Sequence, residues 1–66
     1  MTKVHAHQQF KEYYLPDIKE TEAANNGKVD HSLRRGAWDN YVHYLRRDRL
    51  ITANQYFNWV NPYDVG

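Results

Sequence analysis

Few residues in this 66-residue chain have types and spacings that could support catalysis or metal binding. His5 and His7 could ligate a metal ion, but residues two positions apart do not share a helix face. Asp17, Glu20 and Glu22 lie close in sequence without a nearby base or metal partner. With a single Ser and no Cys, a nucleophile with an activating base is nearly excluded, so we expect neither an enzyme nor a cofactor.

A second group of residues suits binding better than catalysis. We call its basic part the basic strip, on the outer face of the second predicted helix and the turn after it: Arg35, His43, Arg46, Arg47 and Arg49. Arg and aromatic residues dominate binding hot spots, and the aromatic candidates are Trp38, Trp59 and Tyr63. One interpretation is a contact surface for an acidic partner protein or a phosphate-bearing ligand. The other is a solvated face, with the aromatic residues packed in the core.

Composition narrows the possible partners. The formal net charge is only +1, whereas nucleic-acid-binding domains usually carry a larger basic excess, so nucleic acid is not the expected partner. No apolar run approaches the roughly 18 residues that a membrane span needs, and the polar start is not a signal peptide. Without Cys, a single domain of this size must rely on aromatic packing or self-association.

The apolar spacing predicts a first helix over residues 3–24, capped by Thr2 and ended by Gly27. Pro16 lacks a backbone N–H and restricts Leu15, so the helix should break or kink at residues 15–16. The predicted buried face of this helix consists of Ala6, Phe10, Tyr13, Tyr14, Ile18, Thr21 and Ala24.

A second helix is predicted over residues 33–47, with Asp30 or Ser32 as its cap. Apolar residues fill about half of its circumference, more than the roughly 100° arc that one packing partner covers. The helix should therefore pack on both neighbouring helices, or on one of them and a second subunit, and we expect a homodimer. Arg34 falls inside the apolar half. It either extends its charged end to solvent or pairs with Asp17 or Glu20 of the first helix.

A third, short helix is predicted over residues 53–60. Thr52 and Gln55 have the spacing of a capping box, and Asn61-Pro62 ends the helix. Its predicted buried face is Ala53, Tyr56, Phe57 and Val60. The tail after Pro62 is expected to be a poorly ordered extension or a strap.

The second and third helices could form a DNA-binding helix-turn-helix. Asn54, Gln55 and Asn58 could then read adenine in the major groove. However, the third helix carries no Lys or Arg, and its aromatic residues are needed for a core. A plain helical hairpin is therefore favoured over weak DNA binding.

The stretch from residue 33 to residue 62 resembles small proteins of unknown function from tailed bacteriophages. The shared pattern is R-x-A-W-x-x-[YFW]-x-x-x-L-x-x-D-x-x-I-[ST]-x-x-Q-Y-x-x-W-x-x-P. It is met by Arg34 or Arg35, Ala37, Trp38, Tyr41, Leu45, Asp48, Ile51, Thr52, Gln55, Tyr56, Trp59 and Pro62. This chain departs from the pattern at Gly36, where a larger residue is common, and at Asp48-Arg49, where a D-G turn is usual.

The resemblance implies a phage origin and the cytoplasm of an infected bacterial host. It transfers no catalytic residue. The sequence as a whole predicts one all-α domain over residues 1–66, with a kinked or broken N-terminal helix packed on a C-terminal helical hairpin. The expected function is binding and inhibition of a host protein. The alternatives are sequestration of a nucleotide-like signal by an oligomer, and weak DNA binding.

Overall fold

The computed structural model describes residues 1–64, which form four helices and no strand: α1 (Lys3–Tyr13), α2 (Leu15–Asn25), α3 (His31–Arg47) and α4 (Ala53–Asn58). Helix α2 packs on α1 and α3, and α3 packs on α4. The predicted all-α class is confirmed, and so is a broken N-terminal helix packed on a hairpin.

The break in the first predicted helix lies at Tyr14, one residue before the predicted position. Pro16 sits in the first turn of α2, where a missing backbone N–H costs nothing because that group has no helical partner. The chain stays close to helical across the break, since the Ile18 N–H still donates to the Tyr14 carbonyl at 3.2 Å. Proline therefore kinks and restarts the helix instead of ending it.

Local capping fixes the ends of the hairpin helices. The Asp30 carboxylate accepts the Leu33 N–H at 3.0 Å, which selects Asp30 over Ser32 as the cap of α3. The predicted capping box of α4 is confirmed: Thr52 Oγ1 accepts the Gln55 N–H at 3.1 Å, and Gln55 Oε1 accepts the Thr52 N–H at 2.9 Å. These bonds satisfy N–H groups that have no partner inside the helix.

Helix α3 ends in a Schellman motif. The Leu50 N–H donates to the Leu45 carbonyl at 2.8 Å, and the Arg49 N–H donates to the Arg46 carbonyl at 3.1 Å. Arg49 takes the left-handed conformation at φ 61°, a position that glycine usually occupies. Arginine stands here in place of the glycine of the D-G pattern. The consequence is a non-glycine residue in the left-handed conformation.

The core is one aromatic cluster centred on Phe10, which is fully buried. Its ring meets Trp38 edge-on at 5.4 Å and Tyr41 at 5.8 Å between centroids. The other buried members are Ala6, Ile18, Val42, Leu45 and Ile51. Helix α3 is thus covered within the chain on two sides, as predicted, so its wide apolar arc does not require a second subunit. The homodimer stays a prediction.

Two predicted buried faces need correction. On the first helix, Tyr13, Thr21 and Ala24 are exposed, and Tyr14 is only partly covered. On the third, Ala53 is exposed, Phe57 is 81% exposed and Val60 is 70% exposed. The reasons are geometric. The restart near Tyr14 ends the single face assumed for residues 3–24, and α4 stops at Asn58, so Val60 lies outside the helix.

The tail acts as a strap over residues 61–64. Asn61 Nδ2 donates to the Arg35 carbonyl at 3.1 Å and to Asp39 Oδ1 at 3.0 Å. Tyr63 packs against the core, and its hydroxyl lies 2.8 Å from His7 Nε2. Of the two predicted alternatives, the strap is therefore the observed one for these residues.

Candidate functional site

All five residues of the basic strip are exposed. Arg35 approaches Asp64 at 3.5 Å, and Arg47 approaches Asp48 at 3.7 Å while its guanidinium lies 5.4 Å from the Tyr44 ring centre. These contacts are solvent-exposed, so they add little to stability. Within residues 1–64, the other members, His43, Arg46 and Arg49, make no ion pair. They are the part of the strip whose charge is open to a partner.

The three predicted aromatic contact residues have different environments. Trp38 is 1% exposed and forms part of the core, so it offers a partner almost no surface, contrary to the prediction. Tyr63 is half-buried in the strap. Trp59, also half-buried, lies beside an open groove and remains available for contact. The sequence correctly placed Trp38 on the apolar face of the second predicted helix. The position on that face did not show whether the side chain reaches the surface.

The groove lies between α3 and the segment formed by α4 and its C-terminal continuation. Its volume is about 370 Å³, within the range of small-molecule and side-chain pockets. Four of the residues that line it are aromatic, namely Trp38, Tyr56, Phe57 and Trp59, and the others are Asp39, Val42 and Asn61. His43 approaches this lining, since its ring centroid lies 6.3 Å from that of Tyr56. The groove therefore joins the basic strip along α3.

Sequence reasoning missed Tyr56, Phe57 and Asn61 as site residues. Tyr56 and Phe57 were assigned to a buried face because their spacing fits one. A useful signal was the shortness of the helix predicted over residues 53–60, since a short helix offers little surface to bury adjacent aromatic rings against one neighbour. Asn61 was interpreted only as part of a helix stop. It also holds the groove wall in place through its bonds to Arg35 and Asp39.

The residues proposed for reading DNA are already engaged within the chain. Gln55 closes the capping box and donates from Nε2 to the Met1 carbonyl at 2.9 Å. Asn58 Nδ2 donates to the Asn54 carbonyl at 2.7 Å and to its side-chain oxygen at 2.6 Å. Reading a base edge would require these bonds to break, which counts against a helix-turn-helix function.

Within residues 1–64, the buried charged side chain is Glu22, which forms an ion pair with the partly buried Arg34 between α2 and α3. Arg34 donates from Nε to Glu22 Oε2 at 2.9 Å and from its terminal nitrogen to Oε1 at 2.8 Å. The Asp30 N–H adds a third bond to Glu22 at 2.7 Å. The bond from Arg34, followed by that from Asp30, lowers the pKa of Glu22 to about 2. The same pairing raises the pKa of Arg34.

Arg34 therefore forms the predicted kind of ion pair, but the predicted partners were wrong. Asp17 and Glu20 are exposed, whereas Glu22 is only 6% exposed and faces α3. The fork-to-fork geometry fixes both the angle and the register of α2 against α3. The pair is therefore a structural tie.

The two N-terminal histidines do not form a common site. His5 Nε2 contacts Gln9 at 3.3 Å, whereas His7 contacts Tyr63 and lies edge-on to Trp38 at 5.5 Å. Partial burial, with smaller contributions from Lys11 and Lys3, lowers the pKa of His7. No group of three or more His, Asp or Glu residues within positions 1–64 has a metal-binding arrangement. The same part of the chain contains no helix long and apolar enough to cross a membrane.

No protein-family model, curated protein or solved structure matches the chain.

Proposed function

We propose that this protein binds and inhibits another protein stoichiometrically and catalyses no reaction. The observation that carries the proposal is the juxtaposition on the hairpin of exposed aromatic surface and unpaired basic side chains. Phe57 is largely exposed, Trp59 is partly exposed, and His43, Arg46 and Arg49 lie on the neighbouring part of α3 and its turn. Aromatic anchors beside Arg are the combination that dominates protein–protein hot spots.

The buried polar groups support this reading. The Glu22 carboxylate accepts bonds from Arg34 and from the Asp30 N–H, and the described residues contain no buried side-chain polar atom without a partner. Polar groups available to a partner therefore lie on the surface, and the basic strip is one cluster of them. An acidic protein surface would complement that strip and would associate faster at low salt.

The phage-like pattern supplies the biological setting of the proposal. The partner is a protein of the bacterial host, and binding takes place in the cytoplasm of the infected cell. A small protein of this kind disables a host enzyme or a defence component by covering its surface. These statements rest on the resemblance and are tested together with the binding itself.

The test is affinity capture from bacterial lysate with paired charge-reversal variants. One bait carries Arg46→Glu and Arg49→Glu; the matched control carries Lys11→Glu and Lys19→Glu, which are exposed on α1 and α2. We expect the wild-type and control baits to enrich the same host protein, and the strip variant to lose it. We also expect capture to weaken as salt increases. Capture of nothing by the wild type, or equal capture by all three baits, would contradict the proposal.

A further inference from the structure

The groove beside α4 combines a fixed polar edge with an aromatic wall. Asn61 donates both to Asp39 and to the Arg35 carbonyl, and its side-chain oxygen accepts the Tyr63 N–H at 2.8 Å. Both N–H groups of the carboxamide are therefore used, and one carboxylate oxygen of Asp39 is occupied. Four of the seven lining residues are aromatic, so an occupant finds ring surface to pack on beside this polar edge.

This lining is a poor match for a nucleotide. A phosphate placed here would meet the like charge of the Asp39 carboxylate. An aromatic or branched aliphatic side chain suits the lining better, because Trp38 and Val42 line one side and Tyr56, Phe57 and Trp59 the other. Burial against these rings would remove Phe57, now 81% exposed, from water.

The charged side chains beside the groove indicate which residues should flank the apolar side chain of an occupant. His43 follows Asp39 by four residues on α3, and Arg46 follows Val42 by four, so both continue the groove-lining face of the helix. Arg49 extends the positive charge into the turn. Asp39 lies one helical turn before His43, whereas Arg46 and Arg49 lie further along the chain. An occupant with Asp or Glu beside its anchor would therefore meet His43, Arg46 and Arg49.

The backbone at Arg49 gives independent support. A non-glycine residue at φ 61° makes the folded protein less stable than glycine would, yet the turn carries arginine. The arginine guanidinium can form a bidentate pair with a carboxylate. Residues held in such conformations cluster at functional sites. The strained turn thus carries a side chain suited to an acidic partner.

We infer that the groove between α3 and α4 binds a short acidic segment of the partner protein, with one large apolar side chain inserted between Val42 and Phe57. This inference rests on the proposed function and specifies its contact. A second copy of the chain is a worse occupant, because a two-fold interface through this face would bring two basic strips together. The partner's acidic residues instead neutralise the strip.

The first experiment selects binding peptides from a random 12-residue display library against the immobilised full chain. We expect a consensus with one Trp, Phe, Leu or Ile flanked by Asp or Glu. A synthetic peptide of the consensus should shift the NMR signals of Val42, Phe57 and Trp59. A basic or purely polar consensus, signals that shift elsewhere, or no enrichment would overturn the inference.

Paired variants locate the contact. Phe57→Ser removes an aromatic wall, whereas Tyr13→Ser removes a similarly exposed ring, 66% exposed, from α1. We expect Phe57→Ser to weaken peptide binding at least about tenfold and Tyr13→Ser to leave it unchanged. Circular dichroism of both variants should match the wild type. Equal binding by the Phe57→Ser variant would exclude the groove as the site.

The same variants separate this inference from the proposed function. If lysate capture depends on Arg46 and Arg49 but survives Phe57→Ser, the protein binds a partner and the groove assignment fails. If neither a host protein nor a peptide binds, both fail. Light scattering that shows a dimer lost on Phe57→Ser would identify a second copy as the occupant and would also overturn the inference.

Discussion

The two sides of α3 meet different kinds of surface. Towards α1 and α2, the contact is closed by Phe10, Tyr41 and the bidentate pair between Arg34 and Glu22. Towards α4, aromatic rings line an open groove, and Phe57 remains largely exposed. On the first side, loss of an interaction would expose buried groups. On the second side, exposed aromatic surface has no packing partner within the described chain. The difference indicates that stability resides mainly on one side of α3 and binding on the other.

The two phenylalanines of the chain test this division directly. Phe10→Ala should destabilise the protein by about 3–5 kcal/mol, because a large cavity opens at the centre of the core. Phe57→Ala should change the free energy of unfolding by less than about 0.5 kcal/mol, since the ring is mostly exposed. Urea denaturation followed by circular dichroism measures both. If Phe10→Ala does not fold, Phe10→Leu provides a smaller, measurable loss. Similar values for the two alanine variants would break the comparison.

Two adjacent arginines sharpen the same comparison for charge. Arg34→Met should lower the melting temperature by about 10 °C or more, because Glu22 is left buried beside α3 without its partner. Arg35→Met should have little effect, since its contact with Asp64 is long and exposed. Adding Glu22→Leu to Arg34→Met should recover part of the loss. An Arg34→Met variant that melts within about one degree of the wild type would contradict a structural tie.

Acid should weaken the closed side in two stages. The pKa of His7 is lowered below its ordinary value of 6.5, so the unfolded chain binds the proton more readily and stability declines as pH falls below about 6.5. The pKa of Glu22 is lowered from 4.5 to about 2, so the contribution of its pairing is lost between those values. Melting temperatures measured from pH 8 to pH 2 should show both stages. His7→Gln should remove the first and Arg34→Met should flatten the second.

The smallest expected effect is a gain of stability on the open side. Arg49→Gly should stabilise the protein by about 1 kcal/mol, because glycine adopts the left-handed conformation without steric strain. Arg49→Ala, which keeps the strain and removes the charge, should give no such gain. Thermal melts of the two variants provide the measurement. If arginine is kept at this turn for binding, Arg49→Gly should be more stable than the wild type and still bind the acidic peptide less well.

Much of the fold was predictable because its signals are local. Asp30, Thr52 and Gln55 bond to backbone groups within three residues, so their spacing in the sequence is nearly their spacing in space. Pro16 likewise acts on its own turn. The candidate site was less predictable. The basic strip was identified because its helix face is unambiguous, but Trp38 was wrongly included and Phe57 was wrongly assigned to the core.

What the sequence by itself determined was therefore the helices, their caps, the break and the polar face of α3. Only the tertiary structure decided that Glu22 pairs with Arg34, that Tyr63 straps back onto His7 and that a groove opens beside Phe57. The physical reason is range. Capping and amphipathic spacing act within one or two turns, whereas ion pairing and burial between helices depend on the angle and register at which the helices meet. In this protein, the angle and register of the helices depend on the helix restart after Tyr14 and on the short length of α4.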